Sequence, residues 1–413
     1  MRDFVWRAAD VAPLKQAGLR ARRMKAALFV ALVAHVSAQA FLLAALPALG
    51  RRLGFADVET GAILSGSALL LIVGAPFWGY LSERIGRRPV ILLALAGAAA
   101  GPLAFSVVVS ARLADALTAA GALALFLSAR MLQALFVGGL APSAQAYMAD
   151  VTAPRERMGG MGLIGAAFGL GAIGGASLAW RVGGHDPALA FRLAAAFVAV
   201  GFVLVLLFAP EPHLRRAARP ALRPLLARIW PFVAITLLAF AAYGVAQQAM
   251  ALQLQDAFGF TIEQSIEKAG VLLMAIASAM VLVQGVIFRA RPRRPERLLL
   301  AGAIVGALAM GLCVLARSFH EILATLILFG VALGLTIPAN LAALSLRAGA
   351  PAQGAAAGLN MMGQGLGLAI GPLAGAALHR ASPLAPFTAA AALLACAAAL
   401  AALAMRGGAR ETG

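Results

Sequence analysis

The amino-acid sequence predicts an all-α integral membrane protein with about twelve transmembrane helices arranged as two related six-helix halves. The chain is 62% hydrophobic and only 12% charged, whereas soluble domains are about half apolar and a quarter charged. Its charges gather between apolar stretches of roughly 20–28 residues, which are long enough to cross a ~30 Å hydrocarbon core as helices. The alternating apolar and polar pattern of a membrane β-barrel is absent from the sequence.

The apolar stretches divide the chain into two sets of six. They lie at 25–49, 60–80, 89–110, 119–149, 158–180 and 189–209, and then at 229–253, 265–289, 297–316, 321–346, 353–379 and 384–405. No small-residue cleavage motif follows the first stretch, so we expect it to be a retained span and not a signal peptide. The predicted organisation is a cytoplasmic segment 1–24, a half 25–209, a polar cytoplasmic linker 210–228, a half 229–405 and a tail 406–413.

The basic charge indicates orientation in the membrane. With the N-terminus in the cytoplasm, the inner segments hold 25 of the 34 Lys and Arg residues, against eight in the outer segments. This positive-inside distribution predicts a multi-pass protein of the bacterial inner (plasma) membrane with both termini cytoplasmic. The net charge of +18 therefore indicates contact with anionic membrane lipid, and we expect no nucleic-acid partner.

The sequence offers no pattern typical of an enzyme. Cys313 and Cys396 are isolated thiols in apolar helices, and the five His residues are scattered. Metal-ligand spacing, phosphate-binding glycine loops, nucleophile elbows and paired carboxylates are all missing. We therefore expect no enzymatic activity, no cofactor and no metal site.

Residues of the first half recur in the second half at a near-constant offset, which indicates duplication. An offset of 196 residues relates Pro142 to Pro338, Gly162 to Gly358, Gly169 to Gly365, Gly171 to Gly367 and Gly175 to Gly371. An offset of 206 relates Gly79 to Gly285 and Arg87-Arg88-Pro89 to Arg293-Arg294-Pro295. Because six spans is an even number, the repeat is parallel, and this predicts a central cavity between the halves near the bilayer midplane.

The most specific local motif runs from Gly79 to Pro89 and reads Gly-Tyr-Leu-Ser-Glu-Arg-Ile-Gly-Arg-Arg-Pro. A positive-inside loop with a glycine turn explains its arginines but not their order. The order resembles the cytoplasmic signature of the major facilitator superfamily, with Glu83 in place of the usual Asp. Small Gly79 allows close helix approach, and Glu83 can accept hydrogen bonds from arginines or from a helix N-terminus.

From this resemblance we expect a conformational latch that holds the halves together on the inside and favours the outward-open state. Its predicted members are Gly79, Glu83, Arg84, Gly86, Arg87, Arg88 and Asp150. Asp150 ends the fourth span on the side where the loop lies, so we expect an Arg87–Asp150 or an Arg84–Asp150 pair.

The fourth span carries an arginine at Arg130, followed by Gln133. An unpaired arginine inside the membrane is costly, so Arg130 is expected to face the bundle interior or water. Alternatively, it lies nearer the outer face, where a long side chain can snorkel. The segment resembles the family's fourth-span motif, which implies a role for Arg130 in proton transfer.

The fifth span is rich in small residues and resembles the motif that marks drug/proton antiporters, especially the tetracycline-efflux-like branch. Small residues spaced by three and four favour close helix packing, and packing without a transport role is the alternative interpretation. The predicted packing residues are Gly165, Gly169, Gly171, Gly174, Gly175, Gly371 and Pro372. The family's proline after the last glycine is Ala176 here, and a proline is present only in the second half, at Pro372.

Tetracycline-type antiporters carry an acidic residue twelve positions before the Pro of a Leu-Pro pair in the first span. Here Leu46-Pro47 is present, and the corresponding residue is His35. A lone histidine in an apolar helix is often buried and neutral, but histidine also exchanges protons near neutral pH. Since no Asp or Glu lies deep in a span, we predict proton coupling through His35 and Arg130, with Asp115 or Glu267 as candidates at the outer end.

Uncharged amides within the spans are the candidate cavity residues: Gln39, Gln133, Gln247, Gln248, Asn340, Asn360 and Gln364. They suit a neutral, weakly anionic or zwitterionic amphiphile, although each amide alone could equally join two helices. The predicted function is secondary active export of a small amphipathic drug, siderophore or metabolite by a monomer, through proton antiport and rocking alternating access. Proton-coupled uptake of a metabolite remains an alternative, as does a non-transporting sensor or assembly factor.

Overall fold

The computed structural model describes residues 8–151, 157–211, 222–290, 295–349 and 352–410. Within these ranges the chain is almost entirely helical and contains no strand. The helices are α1 (Ala8–Leu53), α2 (Asp57–Ile85), α3 (Arg87–Leu113), α4 (Ala119–Val137), α5 (Leu140–Val151), α6 (Arg157–Leu178), α7 (Pro187–Phe208), α8 (Leu222–Asp256), α9 (Ile262–Ala290), α10 (Pro295–Leu315), α11 (Phe319–Ala348), α12 (Gln353–Ala381) and α13 (Ala385–Arg410). A π-helical turn, Ala179–Gly183, extends α6.

Twelve stretches among the described residues are long and apolar enough to cross a membrane, by length and composition. The predicted fold class is therefore confirmed. The helices extend beyond several predicted limits: α1 begins at Ala8, inside the segment predicted as 1–24, and α13 continues to Arg410. Of the predicted linker, residues 212–221 lie outside the described residues, as do Arg293 and Arg294 of the second-half motif.

The fourth span is broken at Gly138 and Gly139, between α4 and α5. The amide of Gly139 donates to Phe136 O at 3.3 Å. In a regular α-helix it would donate to the carbonyl oxygen of Leu135, which is therefore left for another donor. The indole Nε1 of Trp78 in α2 donates to that carbonyl at 2.6 Å instead. A side chain of a neighbouring helix therefore stabilises the break, which the apolar run of the sequence did not reveal.

We call α1–α7 the first half and α8–α13 the second half. In the first half α1 packs on α6 and α7, and in the second half α8 packs on α12 and α13. The halves meet mainly where α2 packs on α12 and α6 packs on α9. Gly61 of α2 allows this approach, because a Cβ there would lie 2.8 Å from the carbonyl oxygen of Pro372.

An even number of spans places both chain ends on one side, which we call the terminal side. The opposite, distal side carries the short connections 54–56, 114–118, 184–186, 257–261, 316–318 and 382–384.

Candidate transport pathway

The interior of the first half contains a buried arginine. Arg130 of α4 is 4% exposed, and its Nη1 donates to Gln133 Oε1 at 2.5 Å. At 1.5 Å per residue, Arg130 lies about 17 Å below the distal end of α4, near mid-membrane. Gly101 of α3 makes room for Gln133, because a Cβ at that position would overlap the amide. Arg130 therefore faces the bundle interior and does not snorkel to the outer face.

His35 of α1 lies close enough to Arg130 for the guanidinium charge to act on the imidazole. Its Nδ1 is buried and has no hydrogen-bond partner among the described residues, and neither has Arg130 Nε. No carboxylate of the described chain forms an ion pair with Arg130. Two of the predicted proton-coupling residues thus lie in the interior of the first half, within electrostatic range of each other, and each has unused hydrogen-bonding capacity.

The two acidic candidates lie elsewhere. Asp115 is in the connection between α3 and α4 with its side chain 91% exposed, and it pairs with Arg112 at 3.1 Å. Glu267 lies near the distal end of α9 and pairs with His185 at 2.9 Å. Both residues thus lie at or near the distal ends of their helices, away from His35 and Arg130, and their part in proton coupling at the outer end stays a prediction.

Arg87 is the centre of the predicted latch. Its Nε lies 3.5 Å from Asp150 Oδ2, and its Nη1 donates to Ser82 Oγ at 2.5 Å. The Arg87–Asp150 pair is thus formed, whereas Arg84 is exposed and stacks on the ring of Tyr80 at 4.5 Å. All of these residues belong to α2, α3 and α5, so this pair joins helices of one half. The expectation that it spans the two halves needs correction.

The glycines of the loop motif have different roles. Gly86 has a φ of +106°, a conformation that favours glycine, and a Cβ there would meet the carboxylate of Glu211. At Gly79 a Cβ would meet nothing within 4 Å, so the predicted close helix approach does not occur there. Glu83 is exposed near the end of α2.

Glu211 was missed by the sequence analysis, which assigned it to the linker. Its carboxylate accepts from the backbone amides of Arg87 at 2.6 Å and Arg88 at 3.0 Å, the first residues of α3. Arg88 also donates to Leu206 O at 2.7 Å, and Tyr147 donates to Pro210 O at 2.6 Å. A carboxylate at a helix N-terminus is stabilising, so Glu211 connects the segment that follows α7 to the beginning of α3.

We predict that Glu211→Ala lowers the free energy of unfolding by about 1 kcal/mol, because two amides of α3 lose their acceptor. Thermal unfolding of the purified protein measures this as a lower midpoint. Glu211→Gln retains one acceptor oxygen and should lose less. An alanine variant as stable as the wild type would show that the cap is unimportant.

The predicted packing glycines divide into two groups. Gly171, Gly174 and Gly175 lie against α1, where a Cβ on each would fall within 3 Å of an atom of that helix. Gly371 lies equally close to the backbone of Gly244 in α8.

The remaining packing residues lie between the halves or in open space. Gly169 faces Val281 of the second half, and Pro372 contacts both Gly61 of α2 and Gly244. A Cβ at Gly165 would meet nothing within 4 Å, so the close packing expected of Gly165 is not found.

Two predicted cavity residues instead join the halves toward the distal side. The amide of Gln247 donates to Leu43 O at 3.1 Å, and that of Gln248 donates to Thr60 Oγ1 at 2.9 Å. Both glutamines are at least 95% buried. In this conformation they close the distal side and do not line an open cavity.

The amides of the second half form an interhelical cluster. Asn340 donates to Thr236 Oγ1 at 2.7 Å, and Thr236 donates to Asn360 Oδ1 at 2.6 Å. Asn340 is 2% exposed and therefore holds α8 and α11 together, while Asn360 and Gln364 are half-buried on α12. In the first half, Gln39 is half-buried one helical turn from His35, on the same face.

The fold is that of a polytopic membrane protein with a buried polar site inside its first half. The sequence profile of the Major Facilitator Superfamily matches residues 28–366, so the chain belongs to that superfamily. Members of this superfamily are transporters and not enzymes, in agreement with the sequence-based expectation.

Curated relatives include the tetracycline resistance protein, class D, of Salmonella ordonez, which is 33% identical over 40% of this chain. That match spans only 39% of the relative's length. Multidrug resistance protein 1 of Bacillus subtilis (strain 168) is 24% identical over 80% of this chain and 83% of its own length.

Solved structures share the fold. The human organic anion transporter MFSD10 (TETRAN) has a TM-score of 0.69 at 22% identity, covering 92% of this chain and 99% of that chain. A bacterial homolog of the human lysosomal transporter Spinster, in an inward-facing and occupied conformation, has a TM-score of 0.72 at 16% identity, with coverage of 92% and 96%.

Proposed function

We propose that this protein exports a small amphipathic compound across the bacterial inner membrane in exchange for protons, with both termini in the cytoplasm. The observation that carries the proposal is that Arg130 is buried and His35 half-buried within the first half, each with a buried nitrogen that has no hydrogen-bond partner among the described residues. The tetracycline and multidrug resistance relatives support export as the direction.

The chemistry of the pair supports exchange. The Nδ1 lone pair of neutral His35 can accept a hydrogen bond from a substrate donor, or it can hold a proton, but not both at once. A protonated His35 also places a second positive charge beside Arg130 in a buried site, which disfavours a cationic group of the substrate. Proton and substrate therefore compete, as antiport requires.

Arg130 determines which acceptor group the substrate must carry. A buried guanidinium without a carboxylate partner is best stabilised by an acceptor of the substrate, such as a carbonyl, enolate or carboxylate oxygen. Together with Gln39 and Gln133, the site suits a neutral or zwitterionic amphiphile that offers an acceptor to Arg130 and a donor to His35.

The direct test is drug accumulation in cells that overproduce the protein, with tetracycline and a panel of amphipathic dyes as probes. The proposal predicts lower intracellular accumulation of at least one probe than in cells without the protein, and loss of this difference when an uncoupler collapses the proton gradient. Gradient-driven accumulation inside the cells would instead establish uptake and contradict the proposal.

A variant at His35 separates coupling from transport. We predict that His35→Gln reduces gradient-driven export by at least about tenfold, because glutamine cannot take up a proton near neutral pH. Exchange of substrate down its own gradient should continue. His35→Asp should restore part of the coupling, and His320→Gln, at an exposed histidine, should leave export unchanged. Full proton-driven export by His35→Gln would exclude His35 as the carrier.

A further inference from the structure

A partly exposed ion network joins the halves at the distal side. Arg51, in the last turn of α1, donates through Nε and Nη2 to both carboxylate oxygens of Asp57, at 2.8 Å each. Its Nη1 and Nη2 also donate to both carboxylate oxygens of Asp256, at 2.7 and 2.8 Å. Asp57 begins α2 in the first half, and Asp256 ends α8 in the second half. One guanidinium therefore bridges the two halves with bidentate geometry on both sides.

His379 completes the network from α12. Its Nε2 lies 2.8 Å from Asp256 Oδ2, and its side chain is 3% exposed. The imidazole thus fixes the orientation of the Asp256 carboxylate that receives Arg51. Since His379 and Asp256 belong to the same half, their contact does not depend on where the first half lies.

Other ion pairs between the halves on this side are more exposed. Arg52 pairs with Glu263 at 3.5 Å, with the Glu263 side chain 54% exposed. His185 pairs with Glu267 at 2.9 Å, with the His185 side chain 77% exposed. The Arg51 and Asp256 side chains are 24% and 37% exposed. Exposed pairs contribute little unless their geometry is bidentate. Because Arg51 donates to both carboxylate oxygens of Asp256 at 2.7 and 2.8 Å, this contact is the strongest ionic link between the halves that the described residues form on this side.

We infer that Arg51 and Asp256 form the distal gate of the transport cycle, with Asp57 and His379 as positioning residues. This inference rests on the proposed alternating access, in which the distal side must open to release substrate. When the halves part there, the Arg51–Asp256 contact is the only ion pair of this network that breaks. Arg51 keeps Asp57 and Asp256 keeps His379, so neither charge is left without a partner. The gate is therefore strong when closed and still reversible.

The gate can be tested by measuring the distance between the halves on the distal side. Spin labels are attached at Ala116→Cys and Leu384→Cys, one in each half. The two native cysteines are replaced by Cys313→Ser and Cys396→Ala. Pulsed electron–electron double resonance then measures the distal-closed and distal-open populations. We expect Asp256→Asn to lower the closed-to-open ratio by about tenfold, the lower end of the range for charge-assisted hydrogen bonds, because the Asp256 side chain is 37% exposed. The matched control Glu263→Gln, which removes an exposed carboxylate from the same side, should change it by at most about fivefold.

Variants of the partners extend the test if Asp256→Asn folds poorly. Arg51→Lys keeps the charge but loses the bidentate geometry, so it should give an intermediate shift. His379→Ala should lower the closed population, while His379→Gln, which can still donate to Asp256, should restore it. Unchanged populations in Asp256→Asn or Arg51→Lys, or an equal shift in Glu263→Gln, would overturn the gate. The readout is conformational, so a failure of proton-driven export would appear separately in the transport assays.

Discussion

Replacing Arg130 with leucine is expected to reduce transport by about a hundredfold or more in a protein that still folds. Arg130 is 4% exposed and is the buried cation of the first half's interior site. Its removal takes away the charged donor for the substrate and leaves Gln133 Oε1 without its hydrogen bond. Loss of a buried charged contact costs about 2–3 kcal/mol, which corresponds to this factor. Initial rates of tetracycline transport in proteoliposomes measure the effect.

Two control variants test whether the effect of replacing Arg130 is specific. Arg130→Lys keeps the positive charge but not the planar donor set, so it should retain part of the rate. Arg317→Gln removes an exposed arginine of the distal side and should leave the rate unchanged. If Arg130→Leu transported at the wild-type rate, the interior site would have no part in substrate or proton handling.

The second large effect concerns folding. We expect Gly175→Val to destabilise the protein by about 3 kcal/mol or more, because a side chain there would force α6 away from α1. A Cβ at Gly175 would fall within 3 Å of three atoms: Ser37 O, Ala40 Cβ and Phe41 N. Backbone atoms cannot move aside as a flexible side chain can, so the whole contact between the helices must shift.

Gly165 provides the matched control on the same helix. Gly165→Val adds the same side chain at a position where a Cβ meets nothing within 4 Å, so its yield and unfolding temperature should stay near those of the wild type. The comparison is made by size-exclusion chromatography and thermal unfolding of both variants. Equal behaviour of the two valine variants would show that the α1–α6 contact tolerates separation.

The sequence predicted the spans well because hydrophobic length is a local property. The twelve apolar stretches and the interior position of Arg130 follow from spacing and from the cost of burying charge. The family resemblance predicted that Asp150 pairs with Arg87 or Arg84, and the structure forms the pair with Arg87. What the sequence missed depends on residues distant along the chain. Arg51 and Asp256 are 205 positions apart, and no local pattern indicates that their helix ends meet.

Similar reasons explain why some residues lie elsewhere than the sequence predicted. Gln247 and Gln248 were expected in the cavity because amides are rare in apolar helices, but their direction depends on how closely α8 approaches α1 and α2. Gly165 and Gly175 belong to the same small-residue pattern, yet only Gly175 meets a neighbouring helix. A pattern of small residues indicates that close packing is possible, whereas the tertiary structure decides where it occurs.

The central claim, proton-driven export, is tested most directly in proteoliposomes with an imposed pH gradient. The proposed orientation places the termini on the cytoplasmic side, so labelling of the chain ends identifies the proteins inserted with that side outward. An acidic interior should then drive tetracycline or another probe into these vesicles, and the pH gradient should fall as the probe enters. A probe driven inward by an acidic exterior would mean that proton and substrate move together, which would contradict antiport.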